Sequence, residues 1–544
     1  MKFIQNNSLI FSIAIILLSF FKTFAQTNPV SKVWVADNGD GTYRNPILHA
    51  DYSDPDAIRI GDDFYMTASS FNAAPGLPIL HSKDLVNWRL INYVFTKQPP
   101  FDVFDKPQHG GGVWAPSIRF HNGEFYIFYP DPDFGIYMTK TKNPAGEWSE
   151  PLLIKVGKGW IDPCPLWDSD GNAYLVSAFA GSRAGIKTVL VVSRMSADGT
   201  WLLGEPVLVF DGHDAHPTVE GPKFYKRNGY YYIFAPAGGV ATGWQLILRS
   251  KNVFGPYEEK ISLAQGSTKI NGPHQGAWLT TQTGEDWFLH FQDRGAYGRI
   301  VHLQPMTWKN DFPVMGIDKD GDGTGDPVLS HKKPNVGASF PIQTPPDSDE
   351  FSDAKLGLQW QWHANPQAEW AFPFPAKSVL RMNSVQLPEN YKNLWDLPNL
   401  LLQKFPAEKF TVTTKVNLNP RFEGEKFGLL VMGLDYSYLG VTNKNGKLYI
   451  SQATVKDADK GNQETETAPV ELKNKEFYLR VRVAEDAMCG FSFSTDGKNF
   501  TPVGNSFKAR EGKWIGAKVG LFFTRPGKFN DAGTADIDWF RFEK

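Results

Sequence analysis

The first half of the chain repeats one short pattern, a glycine turn followed by a strand rich in aromatic residues. The glycine of each repeat is Gly61, Gly123, Gly171, Gly229 or Gly284, at separations of 62, 48, 58 and 55 residues. Glycine at positive φ makes the tight turn of a hairpin, and the aromatic and β-branched run after it is typical of the returning strand. Five small sheets at this spacing, without sustained helical periodicity between them, predict a five-bladed β-propeller.

One residue with a functional side chain precedes each of these glycines by 7 to 10 positions and lies beside a proline: Asp54, Trp114, Asp162, Glu220 and His274. Equal phase in the repeat predicts equal position in the blade, so we expect these side chains to meet at one end of the central channel. Three of them are acids, and carboxylates brought together repel, so that one should hold its proton near neutral pH. Asp-Pro and Glu-Gly-Pro are also common in loops, and it is the shared phase that indicates a site.

A second domain follows a stretch rich in proline and polar residues between Pro327 and Asp349. Beyond it, alternating strands such as FTVTTKVNL from Phe410 and EFYLRVRV from Glu476 predict a two-sheet β-sandwich. The expected fold is therefore all-β, with a propeller over 40–332 and a sandwich over 346–544. The sandwich carries no second phased set of acids, so we expect an accessory domain that binds carbohydrate, braces the propeller or walls one side of its pocket.

The N-terminal residues 1–25 have the features of a secretory signal peptide. Lys2 precedes a short apolar run that ends at Phe21, and small residues lead to a predicted cleavage after Ala25. The run is short for a membrane anchor, so we expect a secreted or periplasmic protein with no membrane anchor. A formal charge of −2 offers no general attraction for nucleic acid. The two cysteines, Cys164 and Cys489, are expected in different domains and unpaired.

Several longer motifs resemble glycoside hydrolase family 43, in its two-domain β-xylosidase and α-L-arabinofuranosidase form. They are YRNPILHADYSDPDAIRIGDDFYM, LHSKDLVNWRLI, VWAPSIRFHNGEFYIFY, IDPCPLWDSDGNAYLV and VEGPKFYKRNGYYYIF. The C-terminal DEFSDAKLGLQWQWHANP and ADIDWFRF resemble the concanavalin-like β-sandwich that accompanies these enzymes. The resemblance covers nearly the whole mature chain. It implies an exo-acting glycosidase that releases terminal β-D-xylose or α-L-arabinofuranose from hemicellulose oligosaccharides.

The resemblance also assigns catalytic roles to the three acids. It implies an inverting mechanism, in which one carboxylate activates water while a carboxylic acid protonates the leaving oxygen. Asp54 matches the general base and Glu220 the general acid, and Asp162 matches a third acid that orients Glu220 and helps it hold its proton. For the base, Asp51 and Asp56 are alternatives, and Asp54 is preferred because it directly precedes a proline, as in the family.

Further site residues are implied by the same motifs. His274 matches a histidine at the channel centre that touches a bound calcium or a water, although a histidine satisfied within the core fits as well. Arg299 matches an arginine that hydrogen-bonds the terminal sugar, with Arg294 as its competitor. Phe71 and Trp114 are expected to line the pocket, unless they are blade core. No cofactor is expected to be required, and a structural calcium is optional.

A polar string, DKDGDGTGD from Asp318, resembles the opening of an EF-hand loop. Its twelfth position is Leu329 where the motif requires Glu, and no flanking helices are evident, so a polar hairpin is predicted. Two other functions stay open from the sequence. One is an endo-arabinanase of the same family, which the sandwich disfavours. The other is a non-catalytic carbohydrate-binding propeller, which has no need of three acids.

Overall fold

The structure is a computed structural model that describes residues 29–544, and these are built mainly from β-strands. The predicted signal peptide, residues 1–25, lies outside the described residues and stays a prediction. Within the described part of the chain, no helix has the length and apolar character needed to cross a bilayer. The helices are short: α1 (Phe101–Phe104), α2 (Gly181–Ala184), α3 (Gly239–Thr242) and 3₁₀ turns at Gly295–Tyr297, Ala368–Trp370, Pro375–Lys377, Leu394–Asp396, Ala458–Lys460 and Glu485–Ala487.

Five antiparallel four-stranded sheets form the first domain, and in each of them the strands pair in chain order. After β1 (Thr42–Arg44), the first blade has β2 (Asp56–Ile60), β3 (Asp63–Thr67), β4 (Gly76–Ser82) and β5 (Trp88–Phe95). The second has β6 (Ser117–His121), β7 (Glu124–Asp131), β8 (Gly135–Thr141) and β9 (Leu152–Val156). The third has β10 (Trp160–Trp167), β11 (Ala173–Phe179), β12 (Val189–Met195) and β13 (Leu202–Asp211).

The fourth and fifth blades repeat this arrangement. The fourth has β14 (Lys223–Arg227), β15 (Tyr230–Ala237), β16 (Trp244–Ser250) and β17 (Glu258–Leu263). The fifth has β18 (His274–Thr280), β19 (Asp286–Asp293), β20 (Arg299–Lys309) and β21 (Phe312–Met315). Strand β18 contacts β2, and β22 (Ser330–Lys332) pairs with β1, so the end of the ring is fastened to its beginning. The predicted five-bladed propeller is confirmed.

The repeated glycines occupy one position in all five blades, the turn between the first and second strands. Their φ angles are +60° at Gly61, +80° at Gly123, +86° at Gly171, +76° at Gly229 and +89° at Gly284. Residues with a Cβ rarely adopt this conformation, which explains why the turn is marked by glycine in every repeat. The shared phase of the sequence is therefore a shared position in the fold.

The second domain is a sandwich of two sheets, as predicted. Its strands are β23 (Gln361–Trp362), β24 (Ala371–Phe374), β25 (Val379–Asn383), β26 (Val385–Gln386), β27 (Leu401–Lys404), β28 (Phe410–Asn419), β29 (Lys426–Met432), β30 (Tyr436–Lys444), β31 (Lys447–Val455), β32 (Thr465–Glu466), β33 (Val470–Leu472), β34 (Glu476–Val483), β35 (Met488–Ser494), β36 (Thr501–Pro502), β37 (Phe507–Lys508), β38 (Lys518–Arg525) and β39 (Thr534–Glu543). One sheet runs β23-β27-β38-β29-β30-β31-β32 and the other β24-β25-β39-β28-β34-β35-β36. Alternate apolar residues of the two sheets meet in one core, which is the packing that the strand pattern predicts.

The two domains are joined by hydrogen bonds as well as by the linker. Trp362 and Ala74 pair as an isolated bridge, and Asn365 exchanges two hydrogen bonds with the backbone of Gln98. Cys164 and Cys489 are both buried and unpaired, in separate domains. The sandwich is therefore fixed against the propeller by its own contacts, without a disulfide between these cysteines.

Candidate active site

The three predicted acids lie together at the start of the innermost strands of three blades. Asp54 precedes β2, Asp162 lies near the beginning of β10, and Glu220 precedes β14. The backbone N–H of Gly221 donates to Asp162 Oδ2 at 2.7 Å, which connects the third blade to the loop that carries Glu220. The propeller thus brings side chains that lie far apart in the sequence to one end of its channel.

Asp162 is the acid whose protonation the site changes most clearly. Burial and the negative charges of Glu220 and Asp54 together raise the pKa of Asp162 to about 8, against the opposing effect of the hydrogen bond from Gly221. The sequence predicts that one of the clustered acids keeps a proton near neutral pH. In the structure, burial favours Asp162 as that acid.

Three side chains hold the carboxylate of Asp54, which is 6% exposed. The hydroxyls of Ser53 and Ser69 donate to Oδ2 at 2.7 and 2.6 Å. Arg299 donates through Nη1 to Oδ1 at 3.0 Å and lies 3.3 Å from Oδ2. Within residues 29–544, Oδ1 accepts from Arg299 alone, so one lone pair of this oxygen remains for another donor.

The backbone at these positions is strained. Asp54, Asp162 and Phe71 have φ angles of 54°, 55° and 50°, in the left-handed region that residues with a Cβ rarely occupy. At Asp162 the ladder between β10 and β11 also shifts register. Each such residue costs about 1–3 kcal/mol, and strain of this kind is concentrated at functional sites. The backbone is therefore locally strained at the positions that carry these side chains.

The structure separates Asp54 from its two alternatives. Asp51 uses both carboxylate oxygens on backbone donors, Oδ1 on Arg299 N and Oδ2 on Gly516 N, each at 2.9 Å. Asp56 is fully buried and pairs with Arg119 at 2.6 Å. Asp51 is thus held through both oxygens by backbone donors, and Asp56 is held through Oδ2 by Arg119 and the backbone N–H of Ile118. Asp54 as the base stays a prediction.

Glu220 is the more open of the acids, with its side chain 31% exposed. His274, 2% exposed at its side chain, places Nε2 at 3.1 Å from Glu220 Oε1. The other imidazole nitrogen, Nδ1, is buried and has no partner within residues 29–544. His274 therefore contacts the predicted acid directly.

Calcium does not fit His274 well, because one imidazole beside one carboxylate is far from the several oxygen ligands that calcium prefers. Among the described residues, one group of three acidic side chains has ligand atoms within 4.8 Å of one another: Asp318, Asp320 and Asp322. The Asp318 oxygens accept from the N–H groups of Gly321 and Gly323, as expected of the predicted polar turn. A bound calcium stays an untested prediction.

Aromatic side chains from both domains surround Trp114. Its ring centroid lies 6.4 Å from that of Phe71, which is 4% exposed, and 6.2 Å from that of Trp514. Trp514 belongs to the sandwich and is 48% exposed. A Cβ at Gly110 would lie 2.8 Å from the Trp514 ring, so the close approach of the two domains requires glycine there. The sequence predicts Phe71 and Trp114 but misses Trp514, whose one signal is a tryptophan between glycines in EGKWIG.

Arg299 and Arg294 are also distinguished by their partners. Arg299 contacts Asp54, whereas Arg294 lies 3.5 Å from the exposed Glu408 of the sandwich. A second arginine that sequence reasoning misses is Arg183, which pairs with Asp133 and lies 5.4 Å from the centre of the Trp114 ring. No feature of the local sequence marks Arg183, because its position depends on the loop after β11.

A five-bladed propeller with three clustered carboxyl groups and a buried arginine on one of them has the groups that a glycosidase needs. Glycosyl hydrolases family 43 matches residues 43–313, and the Beta xylosidase C-terminal Concanavalin A-like domain matches residues 348–543. The chain belongs to glycosyl hydrolases family 43, so it is an enzyme that hydrolyses O-glycosyl bonds of a carbohydrate substrate.

Relatives with different names match nearly the whole chain. A putative beta-xylosidase of Xylanibacter ruminicola is 40% identical over 501 residues, which cover 91% of this chain and 88% of the relative. A non-reducing end alpha-L-arabinofuranosidase of Bacteroides ovatus is 28% identical and covers 92% of this chain and 94% of its own length. The crystal structure of xylan beta-1,4-xylosidase from Bacillus halodurans C-125 matches with a TM-score of 0.81 and 26% identity, over 92% of this chain and 100% of that chain.

Proposed function

We propose that the protein is an exo-acting, inverting glycosidase that releases a terminal pentose, β-D-xylose or α-L-arabinofuranose, from hemicellulose oligosaccharides. The observation that carries the proposal is the grouping of Asp54, Asp162 and Glu220, with Arg299 bound to Asp54. The relatives include proteins named for each of the two sugars, and both remain candidates for the substrate.

In this mechanism Asp54 is the general base. Its Oδ2 is occupied by the two serines, while Oδ1 keeps a lone pair with which it takes a proton from the attacking water. Arg299 stabilises the negative charge of Asp54 before the transfer and holds the carboxylate in place. Inverting glycosidases separate base and acid by about 6.5–9.5 Å, which leaves room for that water.

Glu220 is the general acid, and Asp162 and His274 are its supports. Glu220 is exposed enough to reach a glycosidic oxygen, and it donates the proton that the leaving sugar needs. Asp162 positions the loop that carries Glu220, because it accepts a hydrogen bond from the backbone N–H of Gly221. The His274 imidazole, 3.1 Å away, fixes the direction in which the Glu220 carboxyl points.

An exo mode of action is supported by the contact between the domains. The ring of Trp514 in the sandwich contacts that of Trp114 in the propeller. If Trp114 lines the pocket, as the sequence predicts, this contact closes one side of it, whereas an endo-acting enzyme needs an open groove. Hydrolysis of xylo-oligosaccharides should therefore release xylose one unit at a time from the non-reducing end. Internal cleavage to mixed oligosaccharides would instead indicate an endo-acting enzyme.

The test of the function is a comparison of 4-nitrophenyl β-D-xyloside with 4-nitrophenyl α-L-arabinofuranoside, with the β-D-glucoside as control. We expect turnover of at least one pentoside well above that of the glucoside. Glu220→Gln should lower the turnover of xylobiose far more than that of the 4-nitrophenyl pentoside, and should leave binding of the sugar product intact. A wild-type protein that binds the sugars without hydrolysing either pentoside would be a carbohydrate-binding propeller, and the proposal would be wrong.

We also propose that the protein is exported and that residues 1–25 are removed. The short apolar run and the small residues before Gln26 support the proposal. N-terminal sequencing of protein recovered from the periplasm or the medium should begin at Gln26. Recovery from the cytoplasm with Met1 intact would contradict it.

A further inference from the structure

Asp51 connects two segments that reach the site from different domains. It is 5% exposed, and its Oδ1 accepts from the backbone N–H of Arg299 while its Oδ2 accepts from the backbone N–H of Gly516, both at 2.9 Å. Arg299 begins β20 of the fifth blade, and Gly516 lies in the sandwich loop 510–516. A single carboxylate therefore fixes both backbones at once.

The segments that contain Asp51, Gly298 and Gly516 are in close contact. A Cβ added at Gly298 would lie 2.5 Å from Asp51 Cγ, and one added at Gly516 would lie 2.6 Å from Gly298 N. Gly298 has a φ of +73°, which favours glycine. Because backbone touches backbone here, a displacement of the sandwich loop has to displace the segment that begins β20 or break its hydrogen bond to Asp51.

Two buried lysines lie in the same interface. Lys404 and Lys518 both point their ammonium groups at Gln361 Oε1, at 3.2 and 3.5 Å. Burial and the positive charge of Lys404 together lower the pKa of Lys518 to about 7, and the negative charge of Asp51 opposes them. The negative charge of Asp51 thus opposes the lowering of the pKa at both lysines.

Each of the two segments held by Asp51 carries a side chain that is assigned to the site. The guanidinium of Arg299 binds Asp54, and Trp514, two residues before Gly516, stands against Trp114. We propose that Asp51 is a positioning residue, which holds Arg299 and the Trp514 loop in register so that the base and the wall of the sugar pocket are set by one contact. The proposal rests on the proposed function for its kinetic consequences and on the hydrogen bonds alone for its structural ones.

The direct test is Asp51→Asn, which keeps the shape of the side chain. An amide offers one acceptor oxygen, and its nitrogen then faces an N–H, so either Arg299 N or Gly516 N loses its partner. We expect kcat/KM for the preferred 4-nitrophenyl pentoside to fall roughly 10- to 100-fold, because displacements near 1 Å in an active site have effects of this size. Both KM and kcat should change, since the wall and the base are affected together.

Tyr297→Phe is the matched control. The Tyr297 hydroxyl donates to Glu408 O at 3.1 Å and accepts from Ala487 N at 2.8 Å, so this variant also loses two hydrogen bonds between the domains. These bonds are made to the backbone at Glu408 and Ala487, and neither involves the N–H groups of Arg299 and Gly516 that Asp51 binds. We expect a lower melting temperature for Tyr297→Phe with kcat/KM within about twofold of wild type. Equal losses of kcat/KM in both variants would show that Asp51 only holds the two domains together, and this would overturn the proposal.

A double variant tests whether Asp51 acts through the loop. If Asp51→Asn already displaces Trp514, adding Trp514→Ala should raise KM less than the product of the two single effects. A full multiplicative loss would mean that the two residues act independently, which contradicts the proposal.

Hydrogen exchange supplies a measurement on the wild-type protein, should Asp51→Asn fail to fold. The amides of Arg299 and Gly516 should both exchange slowly, although Gly516 lies in a loop outside the strands. Rapid exchange of the Gly516 amide would overturn the bridge itself. The exchange rates do not depend on activity. A wild-type protein that is inactive on both pentosides would refute the proposed function, but the hydrogen bonds of Asp51 to Arg299 and Gly516 would be unaffected.

Discussion

Arg299 places a guanidinium nitrogen 3.0 Å from one carboxylate oxygen of Asp54 and 3.3 Å from the other, in a setting where both side chains are about nine-tenths buried. Arg299 begins a strand of the fifth blade and Asp54 precedes the first strand of the first blade. The closure of the ring therefore creates this ion pair. It supplies positive charge at the point where three carboxyl groups converge.

Asp54→Asn should lower kcat by about 10²–10⁴-fold, because the amide cannot accept the proton of the water. Asp56→Asn is the matched control, since it removes the partner of a buried Arg119 without touching Oδ1 of Asp54. Breaking a buried pair costs about 3–5 kcal/mol, so this variant should melt at a lower temperature and keep its kcat while folded. Steady-state kinetics measure the loss of turnover expected for Asp54→Asn, and thermal melts measure the loss of stability expected for Asp56→Asn. High turnover in Asp54→Asn would show that another group is the base.

Glu220→Gln should affect substrates according to their leaving group. Xylobiose needs a proton on the departing oxygen, so its kcat/KM should fall by about 10²-fold or more, while a 4-nitrophenyl pentoside should lose much less. Glu259→Gln, on the outer strand of the same blade, is the control and should resemble wild type with both substrates. An equal loss on the two substrates would argue against Glu220 as the proton donor.

Asp162→Asn should stabilise the protein increasingly as pH rises. The pKa of Asp162 is about 8 in the folded protein, because of burial and the nearby Glu220, and about 4 in an unfolded chain. Between these values the folded state keeps a proton that the unfolded state has released, so the free energy of unfolding of the wild type falls as pH rises from 4 to 8. The variant should melt at the wild-type temperature near pH 4 and roughly 3 °C or more above it at pH 8. Activity should fall in the same variant.

Asp168→Asn is a control in which the change of stability with pH should have the opposite sign. Burial raises the pKa of Asp168, but hydrogen bonds from Lys226 and Tyr231 outweigh it and hold that pKa below its usual value. Its ionised form stabilises the fold above about pH 4, so this variant should lose stability at pH 8 and lose less as the pH falls below 4. A difference from wild type that stays constant with pH in both variants would contradict the assignment of these charges.

Trp514→Ala should raise KM for pentosides severalfold with little loss of stability, because the ring is 48% exposed and its contact is with Trp114. An aromatic pair contributes about 0.5–1.5 kcal/mol of stabilisation in addition to the free energy gained by burying the ring surfaces. Trp201→Ala, which removes a more exposed tryptophan on the propeller, is the control. If both variants leave KM unchanged, Trp514 is not part of the pocket.

The sequence predicts those parts of the structure that recur at a fixed phase. The glycine turns at Gly61 and its four counterparts locate the blades, and the phase of Asp54, Asp162 and Glu220 brings them together before any coordinates are known. Each blade repeats the same local hydrogen bonding, so position in the repeat converts directly into position in space.

Contacts between blades and between the two domains could not be predicted in this way. Trp514, Asp51 and Arg183 acquire their partners through packing of segments far apart in the chain, and their local sequences carry no periodic signal. Asp51 even competes with Asp54 as a base in the sequence. Only the two backbone N–H groups that it binds in the structure assign it a different task.

The most direct test of the account is the configuration of the sugar first released. If Asp54 activates a water on one face of the sugar while Glu220 protonates the leaving oxygen on the other, hydrolysis inverts the anomeric centre. Proton NMR of 4-nitrophenyl β-D-xyloside hydrolysis, recorded before mutarotation, should show α-xylose first, or β-arabinofuranose first if the α-L-arabinofuranoside is the substrate. Initial release of the sugar with its original configuration would contradict the account.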